Sequence, residues 1–361
     1  MPFDPLLIKQ TVQQTIAGHG AVSSITPLAG DASNRRYFRL QVTGGTMSSL
    51  ILMELAQAEA FKASEEAVSH TCHDINELPF INILKHLSKA GVSVPSLYHY
   101  DETAGLLYLE DFGDVTLWDY CHPSGQSSHL AVYAKAIDML VTIHLEATRM
   151  DNPDCLAFHQ SFDVPLLMWE FDHFLEYGVE ARRGEPIAEA DAKIIRAAFQ
   201  QIAELLVAQP YVFTHRDYHS RNLMVAGDML GLVDFQDALL GPVTYDLASL
   251  LRDSYIALDD SLVETLIEQY VDGMSRGVDL AMQDRMLLTD RQAFRRLFDL
   301  TSIQRNLKAV GRFVYIDRVK HNAKFLDDIP RTLGYVQHNL KKHSELVELY
   351  ETLKPYVFEW Q

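Results

Sequence analysis

Apolar and polar positions follow two different periods along the chain. In the amino-terminal part, short apolar runs predict five β-strands, at 22–27, 37–42, 50–55, 94–100 and 106–110. From Thr116 onward, apolar residues recur close to every 3.6 residues, which predicts helices, including a long one over 282–309; another helix is expected at 76–90. We therefore expect an α+β protein with two lobes: an N-terminal lobe (1–113) on a five-stranded antiparallel sheet, and a larger, mostly helical C-terminal lobe (114–361).

One polar loop lies between β-like runs within residues 211–246, which begin YVFTHRDYHSRNLMVAGDMLGLVDFQD. Transfer of a phosphoryl group from ATP to a hydroxyl needs a carboxylate near that hydroxyl and oxygen ligands that hold Mg²⁺ on the phosphates. The loop and the following turn supply these groups. Asp217 is the candidate base, and Asn222 and Asp234 are the candidate Mg²⁺ ligands, since magnesium prefers a few hard oxygens and keeps some of its waters. His215 is expected to be a catalytic-loop scaffold.

The same residues resemble the catalytic loop of protein kinases and their relatives. HRDYHSRN matches the pattern HRDxxxxN, and VDFQD stands where those enzymes carry Asp-Phe-Gly. Gln236 replaces the glycine, and Asp246 follows in GPVTYDLASLL, an arrangement similar to the aminoglycoside and choline kinase branch. The alternative is that His215, Asp217 and Asn222 are ordinary turn formers between strands. In that case, their spacing and the presence of a further aspartate at 234 would be coincidences.

The loop between the first two predicted strands is the candidate for phosphate binding. It reads AGDASNRR over 29–36 and has one glycine, so it is not a GxGxxG loop. Hydroxyl, amide and guanidinium groups can all bond phosphate oxygens, and this loop offers them at Ser33, Asn34, Arg35 and Arg36. A plain polar hairpin loop is the alternative interpretation.

The third predicted strand lacks the lysine that protein kinases use to bind the α and β phosphates, and a Met-Glu pair occupies that region. Either an arginine supplies the charge, with Arg35, Arg36 and Arg39 as candidates, or the chain is a catalytically silent kinase relative. The first interpretation is favoured because the base and metal positions are all filled.

The segment EDFG after the fifth predicted strand resembles a hinge between two lobes. Backbone N–H and C=O groups in such a segment can meet the edge of an adenine ring. Glu110 and Phe112 are therefore the candidate adenine-binding positions.

A cationic stretch, QRNLKAVGR, stands out near the end of the long predicted helix. Arg305, Lys308 and Arg312 are three and four residues apart, which places them along one helical face. An acceptor that carries a carboxylate needs a cation in its site, and Arg305 and Lys308 are the candidates for it. The alternative is a solvated helix face.

Composition narrows the class of protein. A chain of 361 residues with 48% hydrophobic residues can bury a sizeable core, and a net charge of −18 argues against nucleic acid or an anionic membrane as the main partner. The three cysteines, Cys72, Cys121 and Cys155, are odd in number and widely spaced, so no disulfide framework is expected. Neither a signal peptide nor a membrane-spanning run is evident, and we expect a cytoplasmic protein without an obligate protein partner.

Several segments together resemble the bacterial anomeric N-acetylmuramate/N-acetylglucosamine kinases, relatives of the aminoglycoside phosphotransferases. The segments are GDASNRRYF, LILMEL, HRDYHSRNLM, LVDFQDALLGPVTYDLASLLRD, IQRNLKAVG and DIPRTLGYV. This resemblance implies a protein-kinase-like fold, use of ATP and Mg²⁺, and phosphorylation of the C1 hydroxyl of an amino sugar in cell-wall recycling. It also implies that a third strand without lysine is compatible with activity.

Two other functions stay open from the sequence. One is a kinase of another small hydroxyl compound, such as an aminoglycoside or a choline-like amino alcohol. The other is a nucleotide-binding pseudokinase that acts as a scaffold, against which the joint presence of Asp217, Asn222 and Asp234 speaks.

Overall fold

A five-stranded antiparallel sheet forms the amino-terminal part of the computed structural model, which describes residues 4–16, 20–28, 35–55, 75, 77–122 and 129–361. The strand order is β1-β2-β3-β5-β4. The strands are β1 (Ala21–Pro27), β2 (Arg36–Thr43), β3 (Ser49–Glu54), β4 (Leu97–Asp101) and β5 (Leu106–Leu109). The predicted sheet is confirmed, with strand ends shifted by at most three residues.

The two faces of this sheet are covered by different helices. Helix α1 (Pro5–Gln14) buries Ile8 and Val12 against one face, which includes Leu50 and Leu52 of β3. Helix α2 (Pro79–Lys89) packs on the opposite face. Because successive side chains of a strand point to opposite faces, the continuous apolar run of β3 is what a strand covered on both sides requires.

Helix α2 begins at Pro79 rather than at the predicted residue 76. The fixed φ of proline suits the first turn of a helix, and the residue before it, Leu78, is extended with ψ 126°. Glu77 therefore precedes the helix. Its carboxylate bonds Lys85 and Asn82.

Ten helices follow in the carboxyl-terminal part of the described chain. They are α3 (Leu117–Cys121), α4 (His129–Thr142), α5 (Val164–His173), α6 (Glu189–Val207), α7 (Tyr245–Leu251), α8 (Asp260–Gly277), α9 (Leu280–Arg285), α10 (Arg291–Lys320), α11 (Ile329–Lys342) and α12 (Val347–Leu353). Helices α4 and α5 continue as π-helical turns over Ile143–Ala147 and Phe174–Ala181. The mostly helical character predicted for this part is confirmed.

The long helix predicted over 282–309 is wrong in both of its ends. Helix α9 stops at Arg285, Leu287 takes a left-handed φ of 58°, and α10 then starts behind Asp290, whose carboxylate accepts a hydrogen bond of 2.9 Å from the Ala293 N–H. Helix α10 continues to Lys320, for 30 residues. Its buried side chains join α5, α6, α11 and α12 in one apolar cluster, so α10 is the central helix of this part.

Two short antiparallel pairs lie between α6 and α7. Strand β6 (Tyr211–Thr214) pairs with β9 (Leu239–Pro242), and β7 (Leu223–Ala226) pairs with β8 (Met229–Leu232). Gly231 in β8 lies against the Phe112 ring, and a Cβ atom there would be 2.4 Å from two ring carbons. This contact joins the segment after β5 to the β7–β8 hairpin.

The described residues can be compared with two expectations from composition, on disulfides and on membrane-spanning segments. Cys121 and Cys155 are both buried free thiols, while Cys72 lies outside those residues. None of the helices in the described part combines the length and apolar character needed to cross a bilayer.

The close approach of Gly231 to the Phe112 ring predicts how a single added methyl group would change the stability of the fold. Gly231→Ala should lower the free energy of unfolding by about 1–3 kcal/mol, because the added Cβ overlaps the Phe112 ring. Gly334→Ala is the matched control, since a Cβ atom there would have no described neighbour within 4 Å and alanine has the higher helix propensity. Urea unfolding followed by fluorescence measures both. Equal stability of the two variants would contradict the packing.

Candidate active site

The loop that carries Asp217 is fixed by the buried carboxylate of Asp246, which lies at the start of α7. The backbone N–H groups of His215 and Arg216 donate hydrogen bonds of 2.6 and 3.0 Å to its two oxygens. Arg216 adopts a left-handed φ of 77°. The sequence pointed to Asp246 only as part of a motif; the structure gives it this specific task.

His215 connects the loop to the end of β8. Its Nε2 lies 3.0 Å from the Val233 carbonyl oxygen, and its Nδ1 lies 3.3 Å from the Asp217 backbone N–H. Nδ1 accepts from that N–H, so Nε2 carries the proton that is donated to Val233. The geometry suits the scaffold role predicted for His215.

The half-exposed carboxylate of Asp217 lies beside a cluster of positive side chains, Arg216, Arg305 and Lys308, here called the cationic wall. Its Oδ1 lies 3.8 Å from Nη2 of Arg305. Burial by itself raises the pKa of the Asp217 carboxyl, but the charges of Lys308 and Arg305 outweigh burial and hold that pKa well below its usual range. The carboxylate is therefore ionised at neutral pH, as a proton acceptor must be.

The two predicted metal ligands flank the same open end of the β7–β8 hairpin, where the Val233 N–H donates a hydrogen bond of 3.1 Å to the Asn222 carbonyl. The Asn222 amide donates 2.9 Å to the Asp217 carbonyl, which leaves its Oδ1 as the atom available to a cation. Asp234 has a left-handed φ of 62°, and its Oδ1 accepts 3.0 Å from Gln236 Nε2. One amide oxygen and one carboxylate fit Mg²⁺, which completes its shell with phosphate and water oxygens.

Within the described ranges, no group of three or more His, Cys, Asp or Glu side chains could hold a metal ion. A closed protein cage for a metal is therefore absent from that part of the chain. As candidate ligands, Asn222 and Asp234 would supply only two protein oxygens, and phosphate and water oxygens would complete the Mg²⁺ shell.

The three arginines considered for the missing lysine have different partners. Arg35 Nη1 lies 3.7 Å from Oδ1 of Asp234, next to the candidate metal site. Arg36 pairs with Glu54 on the neighbouring strand at 2.6 Å. Arg39 is bound by two carboxylates, at 2.7 Å by Asp111 and at 2.6 Å by Asp114. Arg35 is thus the one of the three beside the metal ligands; Ser33 and Asn34 lie outside the described residues.

The hinge segment after β5 is held by Glu110. Its carboxylate accepts from the Ser96 N–H at 3.1 Å and the Ser96 hydroxyl at 2.9 Å, and its own N–H donates 2.9 Å to the Ser96 carbonyl. Among the described residues, the Glu110 carbonyl and the Phe112 N–H have no hydrogen-bond partner. These two backbone groups suit the acceptor and donor that an adenine edge needs.

A buried carboxylate that the sequence analysis missed lies beneath the cationic wall. Glu170 in α5 is fully buried and accepts from Gln304 Nε2 at 2.7 Å and Lys308 Nζ at 2.9 Å, while Arg216 Nη2 lies at 3.4 Å. The available signal was one acidic residue inside the apolar run VPLLMWEFDH. A charge in such a run needs a buried partner.

The predicted cations Arg305 and Lys308 both lie on the side of α10 that approaches Asp217, but their surroundings differ. Lys308 is paired with Glu170, and its Nζ is 3.4 Å from the Tyr245 hydroxyl. Arg305 is nearly buried, has Asp217 as its ion partner at 3.8 Å, and leaves its Nε without a hydrogen-bond partner among the described residues. The third cation of the stretch, Arg312, is stacked on Tyr315 at 5.0 Å.

Comparison with known proteins adds independent information. Residues 24–280 match the model of the phosphotransferase enzyme family. The chain is 31% identical to the N-acetylmuramate/N-acetylglucosamine kinase of Pseudomonas putida, over 93% of this chain and 89% of that one. It is 29% identical to the protein of the same name from Neisseria meningitidis serogroup B, over 91% and 89%.

A solved structure of amicoumacin kinase in complex with AMP-PNP, Ca²⁺ and Ami has the same fold. It aligns with a TM-score of 0.54 at 15% identity and covers 94% of both chains. The predicted α+β, protein-kinase-like fold is therefore confirmed, while the boundary between lobes at residue 113 stays a prediction. The family match and the kinase relatives agree with a site that pairs a proton acceptor with metal ligands: the chain belongs to the phosphotransferase enzyme family and is an ATP-dependent kinase that phosphorylates a hydroxyl group.

Proposed function

We propose that this kinase phosphorylates the anomeric C1 hydroxyl of N-acetylmuramic acid, N-acetylglucosamine or both, with ATP and Mg²⁺, in cell-wall recycling. The observation that carries the proposal is the acceptor side of the site: an ionised Asp217 bordered by Arg305 and Lys308. The relatives that share about 30% identity over most of their length bear the name of this activity. A cytoplasmic location stays a prediction of the sequence.

The described residues divide the work of the transfer. Glu110 and Phe112 would offer a backbone acceptor and donor to adenine. Asn222 and Asp234 would hold Mg²⁺, which would neutralise charge on the phosphates. Asp217 orients the acceptor hydroxyl and takes its proton as the oxygen attacks the γ-phosphorus, while the bond from that phosphorus to the bridging oxygen breaks and ADP leaves. A C1 hydroxyl loses its proton more readily than an ordinary alcohol, which suits a base with a low pKa.

The positive charge of the cationic wall argues against aminoglycosides and amino alcohols as substrates. A cationic aminoglycoside or amino alcohol needs carboxylates around it, whereas Arg216, Arg305 and Lys308 surround Asp217 here. N-Acetylmuramic acid carries a carboxylate and N-acetylglucosamine is neutral, so neither is repelled by this wall.

Glu170 sets how the cations are placed. It pairs with Lys308 and bonds Gln304, both on α10, from a position in α5. A buried charge of this kind is stable only while its partners remain. Glu170 therefore acts as a positioning residue for the cationic wall.

The roles of the two aspartates can be separated. Asp217→Asn should lower kcat by about 10²–10⁴-fold with Mg·ATP affinity unchanged, because it removes the proton acceptor and no metal ligand. Asp234→Ala should weaken Mg·ATP binding at least about tenfold. Calorimetric titration with Mg·ATP and steady-state kinetics test both. Equal loss of nucleotide affinity in the two variants would show that the assignment is wrong.

Removal of the Glu170 charge should destabilise the protein. Glu170→Gln is expected to cost about 3–5 kcal/mol of unfolding free energy, because the Lys308 ammonium loses its buried partner. Glu268→Gln, an exposed carboxylate paired with Arg291, is the matched control and should stay within about 0.5 kcal/mol. Adding Lys308→Met to Glu170→Gln should recover part of the loss. An effect as small as that of the control would show that the buried pair of Glu170 and Lys308 does not stabilise the fold.

The site of transfer is tested with the acceptor itself. Methyl glycosides of N-acetylglucosamine, blocked at C1, should not be phosphorylated, whereas the free sugar should lose its reducing end as ADP forms. Coupled ADP release and a reducing-sugar assay on the same samples measure this. A blocked glycoside that reacts at the normal rate would place transfer at another hydroxyl.

A further inference from the structure

Arg221 occupies an unusual position in the catalytic loop, between the candidate base and the metal ligand Asn222. Its guanidinium lies over the Tyr255 ring at 3.7 Å from the centroid, with Trp118 at 5.4 Å and Phe325 at 5.6 Å. Guanidinium groups stack well on aromatic faces, and the rings keep water away from the charge. The side chain is nevertheless 17% exposed, so it can be reached from outside.

The hydrogen-bonding capacity of Arg221 is unused. Its nearest carboxylate among the described residues is Asp328 at 3.9 Å, beyond hydrogen-bond distance. Within that part of the chain it makes no hydrogen bond, and its Nη1 is buried without a partner. A guanidinium has five N–H donors, and a buried charged donor without an acceptor is costly. Arg39, by contrast, bonds two carboxylates.

The surroundings of Arg221 are held rigidly next to the reaction centre. Asp253, nearly inaccessible to solvent, accepts from the Ser220 N–H at 2.9 Å and from the Tyr255 N–H at 2.8 Å. The Trp118 indole donates 3.2 Å to the Tyr255 carbonyl. The edge of Tyr255 meets His219, two residues after Asp217, at 5.2 Å. The guanidinium is therefore held on the Tyr255 ring, and the charges of Arg305 and Asp217 also act on the pKa of the Tyr255 hydroxyl.

We infer that Arg221 binds the carboxylate of the acceptor sugar and thereby determines its preference for an acidic amino sugar. This inference rests on the proposed function and refines it. A planar guanidinium can meet a carboxylate with two parallel hydrogen bonds, and the exposed part of the Arg221 side chain is where a ligand carboxylate can reach it.

The three other cations of the site are less suited to this role, and Arg216 lies 3.4 Å from the buried carboxylate of Glu170. Lys308 is already paired with Glu170 at 2.9 Å. Arg305 faces Asp217 at 3.8 Å, so a second carboxylate there would repel the base. Arg221 also has a carboxylate nearby, Asp328 at 3.9 Å, but that carboxylate is not the candidate base and is hydrogen-bonded by Arg331 at 3.2 Å.

The experiment compares three acceptors: N-acetylmuramic acid, its methyl ester and N-acetylglucosamine. The wild-type protein should prefer the acid over the ester. Arg221→Met should lower kcat/KM for the acid at least about tenfold and change the other two acceptors less than about threefold. Arg221→Lys should fall between. Arg318→Met, an exposed arginine at the far end of α10, is the matched control for loss of one charge.

Each outcome decides the inference. Equal loss on all three acceptors, or a raised KM for ATP with each, would assign Arg221 to the loop or to the nucleotide phosphates and overturn it. Equal wild-type rates on acid and ester would overturn it without any variant, even if Arg221→Met failed to fold. Wild-type activity on N-acetylglucosamine in that case would leave the proposed function standing, whereas inactivity on all three sugars would remove both.

Discussion

The geometry of the site depends on one interaction: both oxygens of the Asp246 carboxylate accept hydrogen bonds from the backbone of the catalytic loop. Arg216 has a left-handed φ of 77°, a conformation that costs a non-glycine residue about 1–3 kcal/mol. Two charge-assisted hydrogen bonds, at 2.6 and 3.0 Å, offset that strain. Asp246 is fully buried, so water does not compete for these bonds. The direction in which Asp217 leaves the loop is set by this backbone geometry.

Local charge, rather than net charge, determines what can occupy the cleft. The chain carries a net −18, yet the carboxylate of Asp217 has its pKa lowered by Lys308 and Arg305. Glu170 neutralises one part of this positive wall from below, where it is inaccessible to a ligand. The acidic surface and the cationic acceptor wall are thus separate features. A long-range attraction or repulsion is screened within about 8 Å at physiological salt, whereas the contacts in the cleft are not.

Of the three arginines near the third strand, which has no lysine, two are held by carboxylates of the sheet region. Glu54, on that strand, already holds Arg36 across the strand pair at 2.6 Å. Arg39 is held by the carboxylates that follow β5. Arg35 remains, and it faces Asp234. If Asp234 held a metal ion, that ion and the guanidinium of Arg35 would share one carboxylate.

The sequence predicts what depends on neighbours in the chain and misses what depends on distant contacts. The five strands and the loop from His215 to Asn222 follow from short apolar runs and fixed spacing. The break between α9 and α10 was missed for another reason. Leu287 takes the left-handed position of a Schellman helix end, where its N–H bonds Asp284 and the next N–H bonds Gln283, and no glycine marks this position in the sequence. The cations of α10 do depend on distant contacts. Helical spacing placed Arg305 and Lys308 on one face, but the residue that already neutralises Lys308 is Glu170, on another helix. The availability of a charge is therefore a property of the fold, even where its position is a property of the sequence.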